Sequence, residues 1–184
     1  MKRLDLNQEE YLQIMRRLTA WREERQLTIK SQKEGLISNI LEELTEFSRA
    51  KDVYDYIDAL CDISVFLLNT IDYDIDATKV LQSYQVIPER LFSYDKEDQQ
   101  AMCRIMATTI LTYLDDRKEL ILYFIVWLVG KLGYSYYLCM DETLKEIESR
   151  VGHYDETIKK FVKDKSPSAQ AKWYKADYSK CKVD

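Results

Sequence analysis

Gln32, Asn39, Glu43 and Glu46 are spaced 7, 4 and 3 residues apart. At about 100° per residue they share one stripe of a helix, with Glu42 further round towards solvent. Asp55, Asp58, Asp62 and Asn69 make a second such stripe shortly afterwards. Seven aspartates and no Lys or Arg lie between Lys51 and Lys79, and four glutamates and no base lie between Lys33 and Arg49. Crowded carboxylates without nearby cations cannot all stay ionised, since each buried ion costs several kcal/mol and like charges raise one another's pKa. Either these acids are solvated or paired with distant lysines, or they hold a hard cation. Mg²⁺, with Mn²⁺ as the alternative, takes such all-oxygen ligands and completes its shell with water and substrate phosphate.

The elements that must carry the stripes are helices over 36–50 and 53–69. On the first, Leu36, Ile37, Ile40, Leu41, Leu44 and Phe47 form the apolar face. Ser31 is the expected N-cap, with Glu34 as its capping-box partner. The second helix is apolar around nearly its whole circumference and should be buried, so its polar stripe faces the bundle interior or a cleft. The two helices follow each other almost at once and must pack antiparallel.

Here the sequence resembles the MazG-type all-α NTP pyrophosphohydrolase superfamily, which includes the dimeric dUTPases and phosphoribosyl-ATP pyrophosphohydrolases. That pattern is EExxE on one helix and ExxD on the next. EELTE spans 42–46 and DALCDISVFLLN spans 58–69, with Ala59 where the second motif has its Glu and Asp58 one residue earlier. The clear match covers about 32–76. The resemblance implies Glu43, Glu46, Asp58 and Asp62 as Mg²⁺ ligands. It implies water attack on a nucleoside (deoxy)triphosphate to give the monophosphate and pyrophosphate, with Glu43 or Glu46 accepting the proton. Gln32 and Asn39 would then meet base or sugar.

A triphosphate also needs cations, and eight lysines against two aspartates lie between Lys159 and Lys182. Lys160, Lys163, Lys175 and Lys180 are the phosphate candidates, and Trp21 or Tyr178 is placed to stack on a base. The tail is expected to close over substrate as a lid. The alternatives are a nucleotide- or metal-binding module without turnover, for which Ala59 is the sign, and a purely structural helical dimer.

Four Gly and two Pro in 184 residues argue for long helices. The expected fold is an all-α bundle, one domain with a core over 7–76, a helical extension over 77–163 and a basic tail over 164–184. Further helices are expected at 7–27, 78–84, 98–114, 117–139, 142–150 and 155–163, with an Asp-rich loop at 72–76. Pro167 marks a loop or the first turn of a helix. A formal charge of −5 argues against nucleic acid. A single histidine, His153, excludes di-iron carboxylate sites, which need two Glu-x-x-His motifs, and His-dependent phosphohydrolase sites. Cys61, Cys103, Cys139 and Cys181 lack metal spacing and read as reduced thiols of a cytoplasmic protein. The apolar run 120–130 is shorter than the ~20 residues a membrane span needs. It reads as a core or subunit-interface helix, and a homodimer or higher homo-oligomer is expected.

Overall fold

The computed structural model describes residues 6–71, 99–158 and 160–183, except the side chains of Gln99 and Lys160. The expectations for a loop at 72–76, a helix at 78–84 and a helix start at 98 lie outside these residues.

The chain is an all-α bundle: α1 (Gln8–Glu24), α2 (Ile29–Arg49), α3 (Val53–Leu68), α4 (Gln99–Tyr113), α5 (Lys118–Lys131), α6 (Tyr136–Ser149) and a short α7 (Pro167–Gln170). A hairpin of β1 (Gly152–Asp155) and β2 (Lys160–Lys163) and a 3₁₀ helix (Tyr178–Cys181) complete it. The central element is α3, which packs against α1, α2, α5, α6 and the 3₁₀ helix. That surrounding explains its all-round apolarity: Ile57, Leu60, Cys61, Ile63 and Leu67 are fully buried. One hydrophobic cluster runs from Leu6 to Cys181 and, among the described residues, takes in side chains of α4, α5 and α6 together with those of α1, α2 and α3.

Helix starts follow side-chain caps. Asn7 and Glu10 form a reciprocal capping box at α1. At α2 the cap is Thr28, whose side chain accepts from Ser31 N at 3.1 Å while Ser31 Oγ accepts from Thr28 N at 3.2 Å. Ser31 is therefore the third helical residue, and Glu34 is not the capping partner. Along α2, Leu36, Ile40 and Phe47 face the core, but Ile37 and Leu41 are 59% and 53% exposed. Only α3 and α4 cover this helix extensively among the described residues, so a narrower stripe suffices.

The expected helix over 117–139 is two helices. Gly133 adopts φ +90, and its N–H reaches Gly130 O at 3.1 Å while Tyr134 N reaches Val129 O at 3.2 Å. This pair of bonds is a Schellman end, which terminates α5 despite the apolar and aromatic run that continues beyond it. Leu120 to Val126, Leu128 and Val129 are all buried within this one chain, so of the two expectations for this run, core or subunit-interface helix, the core position is the one the fold shows. No helix among the described residues is long and apolar enough to cross a membrane. All four cysteines are free thiols, three of them buried.

The helix expected over 155–163 is instead the hairpin, with Gly152 opposite Lys163 and Tyr154 opposite Phe161. Asp155 Oδ1 accepts from Thr157 N at 2.8 Å and Ile158 N at 3.2 Å, a local turn that competes with helix. A Cβ at Gly152 would lie 2.2 Å from Val162 O, so only glycine permits this close strand approach. Ser166 caps α7 with Pro167 in its first turn. The tail then returns to the bundle, where Ser135 N donates to Cys181 O and Val183 N to Gly133 O, both at 2.9 Å.

Candidate metal centre

Glu43 projects from α2 against α3 and is only 8% exposed. Its Oε2 has no hydrogen-bond partner. Burial, followed by the charges of Asp62, Glu46, Asp58 and Glu42, pushes its carboxyl up to about 8. Asp62 is pushed up to about 7, by burial first and then Asp58, with Glu146 and Glu46 adding to the rise and Arg150 opposing it. These mutual effects place the carboxylates of α2 and α3 in one electrostatic cluster. A buried carboxylate oxygen without a donor is costly, and a cation is the partner such a cluster calls for.

The α3 stripe divides three ways. Asp55 is exposed and accepts from Lys51 N at 2.9 Å, fixing the α2–α3 turn. Asn69 is fully buried and accepts from Arg22 Nη1 at 3.1 Å. Asp58 and Asp62 remain for the cluster. Asp58 is raised by burial and lowered by Tyr178, whose Oη donates to Oδ1 at 2.7 Å. Ala59, at the first position of the expected ExxD, is buried at 1% exposure and contributes no ligand. Glu46 lies exposed at the edge of α2.

From α6 come two groups that local sequence patterns did not single out, Glu146 and Arg150. They pair with each other, and Glu146 Oε2 also accepts from Ala176 N at 2.8 Å. Arg150 lowers both Asp58 and Asp62, so it stands beside the cluster as a cation. What holds it there is Arg25 on α1. The Arg25 guanidinium donates to Arg150 O at 2.9 Å and to Ile147 O and Glu148 O, each at 3.3 Å. It also lies over the rings of Trp21 and Phe161 at 5.0 and 5.1 Å. One arginine thus pins α1, the end of α6 and the hairpin together. The hairpin in turn brings Lys163 to the cluster. Its ammonium is lowered by burial and by Arg150, and raised by Asp62.

Among the other expected contacts, Gln32 and Asn39 are half-buried further up α2, and among the described residues nothing ties either to the carboxylates. Lys175 is exposed on the tail, and Lys180 pairs with Asp177 at 3.1 Å. The side chain of Lys160 lies outside the described residues. Tyr178 is 5% exposed, engaged by Asp58 and by Thr143 Oγ1 at 3.0 Å, and so is not placed to stack on a base. Trp21 likewise is engaged, donating to Ile147 O at 3.2 Å. His153 sits exposed on β1.

The donor chemistry fits a hard divalent cation: carboxylate oxygens, one of them buried and unpartnered, with mutual repulsion that a cation would relieve. Among the described residues no group of three or more Asp, Glu, His or Cys side chains is arranged to hold a metal ion. No family model, no curated protein and no solved structure matches the chain.

Proposed function

We propose that this protein hydrolyses a nucleoside (deoxy)triphosphate to the monophosphate and pyrophosphate with Mg²⁺ or Mn²⁺, in the manner of the MazG-type enzymes its acidic helices resemble. One observation carries this reading: the buried, unpartnered Glu43 stands in a carboxylate cluster that has two cations, Arg150 and Lys163, along its edge. A site that attracts both a divalent cation and phosphate oxygens needs that combination of charges.

Glu43, Glu46, Asp58 and Asp62 would hold the ion. When bound, it supplies phosphate charge neutralisation and a more acidic water. Arg150 and Lys163 would receive the phosphate oxygens, Arg150 through its planar fork and Lys163 as a point charge. A water oxygen bonds to a phosphorus of the chain, the phosphoanhydride P–O bond opposite breaks, and pyrophosphate and the monophosphate separate. Glu46, at the open edge, or Glu43 takes the water's proton. Gln32 and Asn39 remain the proposed contacts to base or sugar.

The test is pyrophosphate release from the common ribo- and deoxyribonucleoside triphosphates with Mg²⁺ or Mn²⁺. At least one should turn over, and Asp62→Asn should abolish the activity. Arg150→Met keeps the stem but loses the fork and should raise KM about tenfold or more, the size expected for a charge-assisted bond. Metal binding without any pyrophosphate release would favour a second reading, a nucleotide- or metal-binding module. The buried Ala59 and the open cluster are the observations on its side.

A further inference from the structure

Two carboxylates of α6 fasten the returning C-terminal segment. Glu142 Oε2 accepts from Tyr174 Oη at 2.5 Å and from Asp177 N at 3.0 Å, and Glu146 Oε2 accepts from Ala176 N. The Cys181 and Val183 backbones bond to the α5–α6 turn on the far side. Between these ties the chain inserts Tyr178 beneath α3. The phenol is buried, has one proton, and faces a carboxylate that can only accept, so the proton goes to Asp58 Oδ1. Thr143 Oγ1 lies 3.0 Å from the phenol oxygen and also donates to Cys139 O at 3.0 Å. Asp58 is thereby given one fixed hydrogen bond by a residue 120 positions away, leaving Oδ2 free of it.

We propose that Tyr178 is a positioning residue for the metal centre, and that the 173–183 segment is a strap that completes the site by orienting Asp58 as a ligand. This rests on the metal reading above. Groups that orient metal-ligating carboxylates commonly alter metal affinity by 10–100-fold when removed. The role also accounts for the displaced motif. An aspartate one residue early needs something to fix it, and a hydrogen bond from outside the helix pair does so.

The experiment is Mn²⁺ binding by the full chain, followed by paramagnetic resonance and calorimetry, with no nucleotide present. Tyr178→Phe retains the ring and should weaken Mn²⁺ binding roughly tenfold. Thr143→Val, which removes the contact to the phenol together with the bond to Cys139 O, should give a smaller loss of the same sign. Tyr174→Phe cuts a strap tie that does not touch Asp58 and should bind as wild type does. In an Asp58→Asn background, Tyr178→Phe should cause no further loss. Unchanged affinity in Tyr178→Phe and Thr143→Val overturns the proposal. So does an equal loss in Tyr174→Phe, which would assign the effect to strap packing, or a full additional loss in the Asp58→Asn background. A wild-type chain that binds no Mn²⁺ would instead sink the metal reading itself, and with it any ligand role for Asp58.

Discussion

Glu42, Glu43 and Glu46 are chemically alike, and their surroundings separate them. Glu42 and Glu46 are exposed, whereas Glu43 is 8% exposed and pushed up to about 8. Its ordinary value is 4.5, so between about pH 4.5 and 8 the folded protein binds more protons than the unfolded one. Stability linked to Glu43 is therefore fully present below pH 4.5 and is lost as pH rises through 8. The loss is on the order of a few kcal/mol. Asp62 adds a loss of the same sign up to about pH 7. We expect urea denaturation of the metal-free protein to show a lower free energy at pH 8 than at pH 5.5. Glu43→Gln should flatten that difference and gain stability at pH 8. Saturating Mg²⁺ should flatten it in the wild type, because the ion favours the ionised form. A Glu43→Gln variant with the same pH dependence as wild type would show that Glu43 is not the strained group.

At the scale of elements, helix starts and stops are set by a few local bonds. Thr28→Ala should cost about 1 kcal/mol of stability through the lost α2 cap, while Glu34→Ala should change it little. The reverse order would return the cap to Ser31. Gly152→Ala would set a methyl against Val162 O and the Phe161 ring, where the backbone cannot yield cheaply. We expect it to displace the hairpin, so that Lys163 leaves the cluster and KM for the triphosphate rises while Mn²⁺ affinity holds. Unaltered KM would remove Lys163 from the phosphate site. The strap has its own acid dependence. Burial pushes the Glu142 carboxyl up, but hydrogen bonds from Lys145, Tyr174 and Asp177 N overcome this and hold it at about 2. Its contribution is present above pH 4.5 and lost as pH falls towards 2.

Across the whole molecule, the lysine-rich tail is part of the fold. A lid was the reading its charge suggested, but Tyr178, Cys181 and Ala169 are buried in it. Deletion after Pro167 removes a buried tyrosine, itself worth about 3–5 kcal/mol when truncated. The thermal midpoint should fall by roughly 10 °C. A truncated chain that melts with the full-length protein would make the tail an appendage after all.

Much of the bundle was legible because helices encode themselves locally. The spacing of Glu43, Glu46, Asp58 and Asp62, and the apolar circumference of α3, depend only on residues three and four apart. That periodicity sufficed for an all-α bundle with an acidic helix pair. It misjudged 117–139, where apolar residues continue through the Gly133 turn, and 155–163, where a tight hairpin set by the Asp155 turn and Gly152 outweighed a helical pattern. The site's remaining parts were beyond its reach. Arg150, Glu146, Lys163 and Tyr178 lie 84 to 120 residues from the α3 aspartates they serve or influence. Nothing near Arg150 or Glu146 marks them, and the lysine- and aromatic-rich tail singled out Lys163 and Tyr178 as phosphate and base contacts without linking them to the α3 aspartates. Which carboxylate is buried, which cation stands beside it and which donor fixes it follow from how α1, α3, α6, the hairpin and the strap pack, since burial and charge act between elements that only the folded chain brings together.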